Sequence, residues 1–439
     1  MNLTLHPAFG LRGETHVPGD KSITHRALLL SALADGPARI TDFLDGGDCR
    51  ATIGCLRALG VEIEQLSAGE LLVHGVGLRG WREPDSVLDC VRSGTTMRLL
   101  AGLLAGQRFF SVLSGEAQLR RRPMERVVSP LRAMGAQISG RQAGRLPPLS
   151  ISGAQLRGIE YTLPVASAQV KSSLLLAGLY AEGTTALVEP APSRDHTERM
   201  LRARGVALES RGLRHTLRSP VEGLAAMDTA VPGDLSSAAF FLVGALLAPG
   251  SELLLRGINL NPTRTGLLEA LREMGAHISV LEEHLEGGEP MGDLLVRTQA
   301  LRAIRVDETH PGEGIIPRMI DEFPIFALAA TQAQGTTRVC GAAELRVKET
   351  DRITTLVEEL RALGAQIEPH ADGFTIEGPT PLHGARVDSH GDHRLAMTLA
   401  IAGLLAEGET TVIGSECIAD SFPGFEERLN VLAKGALQW

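Results

Sequence analysis

Aromatic residues are scarce. Only 3% of the 439 residues are Phe, Trp or Tyr, so the core must be mostly Leu, Ala, Val and Ile, and the stacking platforms that single-stranded nucleic acid needs are missing. Basic charge is not in excess either. Lys and Arg number 43 against 52 Asp and Glu, a formal charge of −9, where a nucleic-acid binder more often shows a basic balance. The five cysteines, Cys49, Cys55, Cys90, Cys340 and Cys417, are odd in number and never in C-x-x-C spacing. That argues against a disulfide framework or a zinc site and fits reduced, buried thiols in a cytoplasmic protein. No uninterrupted apolar run reaches about 18 residues, so no membrane span is expected. The opening MNLTLHPAFGLRGETHV carries no signal-type apolar stretch. Walker A, strand-following G-x-G-x-x-G, H-E-x-x-H and G-x-S-x-G patterns are all missing. Nucleotide hydrolysis, hydride transfer and zinc chemistry therefore lack support. An acidic total still permits an anionic small substrate, because a local cluster of Arg and Lys can dominate one cleft.

What is present is repetition. Glycine is abundant, with 49 copies, and the length suggests two or three domains. One pattern is a Leu-rich helical stretch, a small-Gly-Val/Ala turn and a β-branched continuation. It appears as LRALGVEI at Gly60, LRAMGAQI at Gly135, LRARGVAL at Gly205, LREMGAHI at Gly275 and LRALGAQI at Gly364, with a weaker copy, LNVLAKGAL, holding Gly435. The spacing, about 70 to 90 residues, is longer than solenoid repeats. A second pattern interleaves with it: a polar opening, an Ala/Leu helix, a glycine and a β-rich run. Gly36, Gly106, Gly183, Gly250, Gly335 and Gly408 stand where the helix is expected to stop. Six units result, each with one helix apolar on most faces, hence buried, and one amphipathic helix. Helices alternating with strands give an α/β or α+β architecture.

The six units fall into two halves. THVPGDKSITHRALLL parallels TAVPGDLSSAAFFLVG, each around Pro-Gly-Asp. Pro and Gly punctuate a chain, and Asp caps the helix that follows. Pro18-Gly19-Asp20 and Pro232-Gly233-Asp234 are therefore read as two crossings between lobes. Residues 1–19 and 233–439 form one discontinuous lobe, and residues 20–232 form the other. Such lobes could hinge closed over a ligand.

Several cations stand where local physics disfavours them. Lys21, Arg92 and Arg394 fall at helix openings, where the helix dipole costs a cation about 0.3–1 kcal/mol and an anion would reverse the sign. Each taken singly could be a solvated side chain. Their recurrence at matching repeat positions favours a shared anion site. In Arg346-Val347-Lys348-Glu349-Thr350-Asp351-Arg352, Lys348 and Arg352 would share one helix face and Glu349 could pair with Arg352. This is either a surface ion-pair network or a cation pair for phosphate or carboxylate with an acid beside it. Arg120-Arg121-Arg122 is a third basic cluster, and Ser167-Ala168-Gln169-Val170-Lys171-Ser172 offers hydroxyls, an amide and an amine at another helix opening, with Ser capping as the plainer alternative.

PGDKSITHRA, SGTTMRL, LRRRPM, SAQVKS, ELRVKETDRI, GDHRLAM and SFPGF together resemble the 5-enolpyruvylshikimate-3-phosphate synthase family, from about Val17 to Leu429 and in the family's order. The resemblance implies an enolpyruvyl transferase fold, an inside-out α/β barrel with two similar lobes, each of three βαβαββ units around buried helices. It implies transfer of the enolpyruvyl group of phosphoenolpyruvate to the 5-hydroxyl of shikimate-3-phosphate, with glyphosate as an inhibitor, no metal, no organic cofactor and a monomer. By resemblance, Lys21 touches both substrates, and Ser22, Arg26, Ser167, Ala168, Gln169, Ser193, Asp321 and Lys348 meet shikimate-3-phosphate. Gly94, Arg122, Gln169, Arg352 and Arg394 meet phosphoenolpyruvate. Asp321 matches the base for the reacting hydroxyl, Glu349 matches the proton donor to the methylene, and His393 lies beside them.

The sequence also departs from the family. Arg92 stands where the family often has Asn, and Leu99 where some members have Pro. Ala168 replaces a second Ser, and Asp420 replaces a lysine that contacts phosphoenolpyruvate. Two alternatives stay open. A UDP-N-acetylglucosamine enolpyruvyl transferase would carry Cys at Ala117 and Asn at Ser22. An inactive binding paralogue would be consistent with Arg92 and Asp420.

Overall fold

A computed structural model of the chain describes residues 1–219, 221–310 and 314–438. The chain divides into two compact units. One comprises Met1–Pro18, Gly233–His284 and Pro290–Trp439; the other comprises Gly19–Pro232 and Leu285–Glu289. Among the described residues, each unit holds three four-stranded sheets and three buried helices. Every sheet has a parallel pair at one edge, as in Leu88–Asp89 with Phe110–Ser114, and an antiparallel pair next to it, as in Phe110–Ser114 with Leu146–Ser152. The buried helices are Lys21–Ala32, Gly94–Ala105 and Ala168–Gly178 in the second unit. In the first they are Leu235–Leu247, Phe323–Thr331 and His393–Leu405. This is the mixed α/β architecture of six repeated units that the sequence led us to expect.

Most of the phenylalanines lie in the first unit. Phe241 stacks on Phe425 at 5.4 Å between centroids, with Phe422 edge-on to both. The other core is mostly Leu, Ile, Val and Ala, with Phe43, Trp81 and Tyr180 as its buried aromatics.

The recurring LRA-x-G turn has one physical explanation. At Gly205, whose φ is +87°, the backbone N–H donates to Arg202 O at 3.0 Å, and Val206 N–H donates to Leu201 O at 3.1 Å. This is a Schellman stop, which needs the left-handed conformation that glycine adopts without a Cβ penalty. The neighbouring arginine has a second task. Arg202 Nε donates to Leu208 O at 2.8 Å on the outgoing strand, and Arg57, Arg132, Arg272 and Arg361 make the equivalent bond six residues on. The weak copy keeps the stop without the glycine or the arginine: Lys434, at φ +51°, occupies the turn and its N–H donates to Val431 O at 3.4 Å, and Gly435 N–H donates to Asn430 O at 2.9 Å.

The other set of glycines does not act as the sequence suggested. Only Gly106 is a helix C-cap, and its φ is −91°. The remaining five buried helices end a few residues earlier, and Gly36, Gly183, Gly250, Gly335 and Gly408 sit with φ between +76° and +127° at or just before the next strand. They turn the chain into the sheet; they do not cap the helix.

The Pro-Gly-Asp motifs combine a close approach with a cap. A Cβ on Gly19 would lie 2.0 Å from Asp42 O, so only glycine fits there. Asp20 Oδ1 accepts from Ile23 N–H at 2.9 Å, and Asp234 Oδ1 accepts from Ser236 N–H at 2.8 Å. Each Asp thus satisfies a first-turn amide of a buried helix, where water cannot.

Candidate active site

In the unit built on Gly19–Pro232, three buried helices open without an acidic residue in the first turn. At the first, Lys21 Nζ lies 3.4 Å from Asp48 Oδ2. Burial pushes the Asp48 carboxyl up, but Lys21, with His25 and Arg122, outweighs it and holds the group below its usual range. One turn on, Arg26 is buried, with 3% of its surface exposed. Its Nε donates to Thr197 Oγ1 at 2.6 Å, its Nη2 to Ser172 Oγ at 2.7 Å and its Nη1 to Ser22 O at 2.9 Å. All three acceptors are neutral. Burial lowers the Arg26 pKa to about 10, which nearby acidic charge only partly offsets.

At the second opening, Ser93 Oγ accepts from Thr96 N–H at 3.1 Å. A Cβ on Gly94 would meet Arg98 Nη1 at 3.0 Å and Arg122 Nη1 at 3.4 Å, so two guanidiniums converge on this glycine. Arg98 is buried and bonded to Gln169 Oε1 and Pro123 O. Burial, then the charges of Arg126 and Arg122, lower its pKa to about 9. Among the described residues, Arg122 makes no side-chain hydrogen bond or ion pair. Arg92 is more open, about half exposed, and its Nε lies 3.2 Å from Glu116 Oε2. At the third opening, Gln169 Nε2 donates to Thr95 Oγ1 at 2.9 Å. Ser167 makes no side-chain cap bond, so its hydroxyl is not spent on the helix. Nearby, Ser193 Oγ donates to Glu189 Oε1.

The other unit shows the opposite electrostatics. Arg352, with 2% of its side chain exposed, reaches three carboxylates: Asp392 Oδ2 at 2.6 Å, Glu349 Oε2 at 2.6 Å and Asp321 Oδ1 at 3.4 Å. Lys348 Nζ lies 3.9 Å from the same Asp321 Oδ1, and Arg394 Nη2 lies 3.7 Å from Asp321 Oδ2. Burial raises the Glu349 carboxyl, but Arg352 and then His393 outweigh it and bring it down to about 2. Arg352 moves upward for the same reason: its carboxylates outweigh its desolvation. Asp392 also caps the His393–Leu405 helix, accepting from Arg394 N–H at 2.9 Å. His393 and Arg394 thus sit, mostly buried, in its first turn.

One expected arrangement is corrected. Lys348 and Arg352 do not share a helix face. Lys348 follows the 3-10 turn Ala343–Val347, and the helix begins only at Arg352, because Asp351 caps it by accepting from Thr354 N–H. The two cations instead meet at Asp321. The expected pairing of Glu349 with Arg352 is present.

Sequence reasoning missed Arg98, Thr197 and Glu189, and named Ser172 and Lys171 only as a hydroxyl and an amine at a helix opening, not their partners. Arg98 and Lys171 had a signal: each is a lone cation inside a helix otherwise apolar enough to be buried. Asp420, by contrast, is exposed at the end of Ser415–Asp420. Among the described residues, one buried group is placed as a metal-ligand set would be: Glu189, Glu198 and His215. The Lys171 ammonium already lies 2.6 Å and 2.7 Å from its two carboxylates, so a lysine occupies the place a cation would take.

Residues 6–429 match the family model described as EPSP synthase (3-phosphoshikimate 1-carboxyvinyltransferase). The chain is 50% identical over 425 residues to the 3-phosphoshikimate 1-carboxyvinyltransferase of Bacillus subtilis, covering 97% of this chain and 98% of that one. It is 53% identical over 430 residues to the protein of the same name from Chloroflexus aggregans, again covering 97% and 98%. Among solved structures it is similar to EPSP synthase from Acinetobacter baumannii, with a TM-score of 0.92, 44% identity and coverage of 100% and 99%.

Proposed function

The chain belongs to the EPSP synthase family, and on that premise we propose how its residues share the reaction. The enzyme transfers the enolpyruvyl group of phosphoenolpyruvate to the 5-hydroxyl of shikimate-3-phosphate, releasing phosphate, in the shikimate pathway to the aromatic amino acids. One observation carries the division of labour. Arg26 and Arg98 are buried on neutral partners, whereas Arg352 is surrounded by carboxylates. The first kind of cation is fit to receive anions, and the second to govern acid–base groups.

In this reading Lys21, Ser22, Arg26, Ser167, Ala168, Gln169 and Ser193 hold shikimate-3-phosphate, with Asp321 and Lys348 at its reacting hydroxyl. Lys21, Gly94, Arg122, Gln169, Arg352 and Arg394 hold phosphoenolpyruvate, with Arg92 and His393 beside them. Helix N-terminal amides and guanidiniums then meet two phosphates and two carboxylates, which the helix dipole also favours.

Glu349 is ionised in the resting arrangement, because Arg352 holds its pKa down to about 2. An anionic substrate that engages Arg352 removes part of that support and adds negative charge nearby. Both effects raise the pKa and prepare Glu349 to protonate the methylene carbon. Asp321 takes the hydroxyl proton as the oxygen bonds to the resulting cationic carbon. Return of a methyl proton and cleavage of the carbon–oxygen bond to phosphate then restore the enol ether. Fixed charges stabilise the oxocarbenium-like species without reorganising.

The test is phosphate release on mixing protein, phosphoenolpyruvate and either shikimate-3-phosphate or UDP-N-acetylglucosamine. Turnover with the first acceptor alone is expected. Asp321→Ala and Lys21→Ala should each lower kcat/KM by at least about a hundredfold. Retained turnover in Asp321→Ala would remove Asp321 from the role of base.

Three finer readings belong to the same proposal. The protein is a monomer, checked by sedimentation equilibrium. It is cytoplasmic, which suits five unpaired cysteines and is checked by fractionation. It binds glyphosate at the phosphoenolpyruvate positions with lowered sensitivity, a reading motivated by Arg92 and Asp420. An inhibition constant as low as that of a sensitive relative would sink the last.

A further inference from the structure

Lys171 is a buried lysine that the reaction does not use. Its side chain has no exposed surface, and neither has that of Glu198; Glu189 has 1%. The ammonium lies 2.6 Å from Glu189 Oε2 and 2.7 Å from Glu198 Oε1. The residues next to this pair in sequence, Ser172 and Thr197, are the two whose hydroxyls hold Arg26. The same two helices therefore supply an ionic pair, Lys171 with Glu198, and a neutral pair, Ser172 with Thr197, which is itself bonded at 2.7 Å.

Three carboxylates act electrostatically on Arg26: Glu198, Asp20 and Glu289. Each has another partner. Asp20 caps its helix at Ile23 N–H, and Glu289 Oε1 lies 2.9 Å from His196 Nδ1. Glu198 is held by Lys171. A buried carboxylate without a cation is costly. Without Lys171, Glu198 keeps only the His215 imidazole at 3.6 Å, a cation only when protonated, and the always-charged guanidinium of Arg26, on which Glu198 already acts, draws it.

We propose that Lys171 is a positioning residue for shikimate-3-phosphate: by holding Glu198 it keeps buried carboxylate charge off Arg26 and leaves that guanidinium to the substrate's anionic group. The proposal rests on reading Arg26 as a ligand of that substrate. It explains why a catalytic unit would bury a lysine with two glutamates where an apolar side chain would serve stability as well.

The experiment is steady-state kinetics with both substrates, together with a thermal midpoint, on Lys171→Met, Glu198→Gln, the double variant and Arg26→Gln. Lys171→Met should raise KM for shikimate-3-phosphate at least about tenfold, with KM for phosphoenolpyruvate and kcat within about twofold. Glu198→Gln alone should stay near wild type, and the double variant should recover most of the lost affinity, because the competing charge has gone with the lysine. A purely structural lysine would move the thermal midpoint and not this one KM. An unchanged KM in Lys171→Met, or a double variant as poor as the single one, overturns the proposal. If Lys171→Met does not fold, Thr197→Asp against Thr197→Asn takes its place. The Asp variant should lose at least about tenfold more affinity than its uncharged isostere, and equal losses overturn the idea. Arg26→Gln separates the two levels. If it leaves KM for shikimate-3-phosphate unchanged, the reading of Arg26 itself fails; if it raises KM while Lys171→Met does not, only the role of Lys171 falls.

Discussion

Arg352 Nη2 lies 2.6 Å from Glu349 Oε2 while Nε of the same guanidinium lies 2.6 Å from Asp392 Oδ2. One buried cation therefore sets the charge state of an exposed-side carboxylate and anchors a fully buried one. Arg352→Gln leaves Asp392 buried without its cation, which should cost about 3–5 kcal/mol at neutral pH. The sign of the pH dependence follows from Glu349, whose folded pKa falls from 4.5 to about 2. Its stabilisation is present above 4.5 and is lost as pH falls toward 2. Urea unfolding from pH 7 to pH 3 should show wild type and variant converging in acid. Equal stability at pH 7 would contradict the assignment.

Gly94 faces two guanidiniums. A methyl group there would meet Arg98 Nη1 at 3.0 Å and Arg122 Nη1 at 3.4 Å. Both are tips of flexible side chains, so Gly94→Ala should fold with a thermal midpoint near wild type. The displaced charges should raise KM for phosphoenolpyruvate by about tenfold or more, leaving KM for shikimate-3-phosphate nearly unchanged. A change confined to the second KM would show that Gly94 borders the other substrate.

Much of this was legible in the residues themselves. Gly205 and its counterparts announced sixfold repetition, because a Schellman stop leaves a fixed mark in sequence. Asp20 and Asp234 announced caps. Lys21, Arg92 and Arg394 stood out as cations on the wrong end of a helix. What could not be read was pairing across distance in sequence. Nothing near Arg352 names Asp321 or Asp392, and nothing near Arg26 names Thr197. Lys348 was misplaced for a local reason: spacing alone cannot show that Asp351 caps a helix there and excludes Lys348 from it. The glycines after the buried helices, such as Gly36, misled because a left-handed residue serves a strand entry as readily as a helix stop.

The turn glycines give a stability test in both directions. At Gly205 no atom lies within 4 Å of where a Cβ would be, so Gly205→Ala is strained by backbone conformation alone. It should lose about 1–2 kcal/mol. Lys434 occupies the equivalent turn at φ +51°, and Lys434→Gly should gain up to about 1 kcal/mol by removing the same strain. Denaturant midpoints report both. A destabilised Lys434→Gly would mean that the lysine side chain makes up for its backbone.

His25 ties the openings of two buried helices together through the protein interior. Its Nδ1 lies 2.7 Å from Thr52 Oγ1, which lies 2.7 Å from Thr96 Oγ1, which donates to Ser93 Oγ at 2.7 Å. Burial, helped by the charges of Lys21 and Arg26 against those of Asp48 and Asp20, lowers the imidazole pKa from 6.5 to about 4. The unfolded chain therefore takes up the proton before the folded one does. Stability from this group is complete above pH 6.5 and falls as pH drops toward 4, by about 1.4 kcal/mol for each unit crossed. His25→Gln cannot take a proton, so it should flatten that part of the profile while keeping a polar partner near Thr52. Urea midpoints for both proteins at pH 7, 6, 5 and 4 decide the matter: parallel profiles would show that the proton taken up in this window goes to another group.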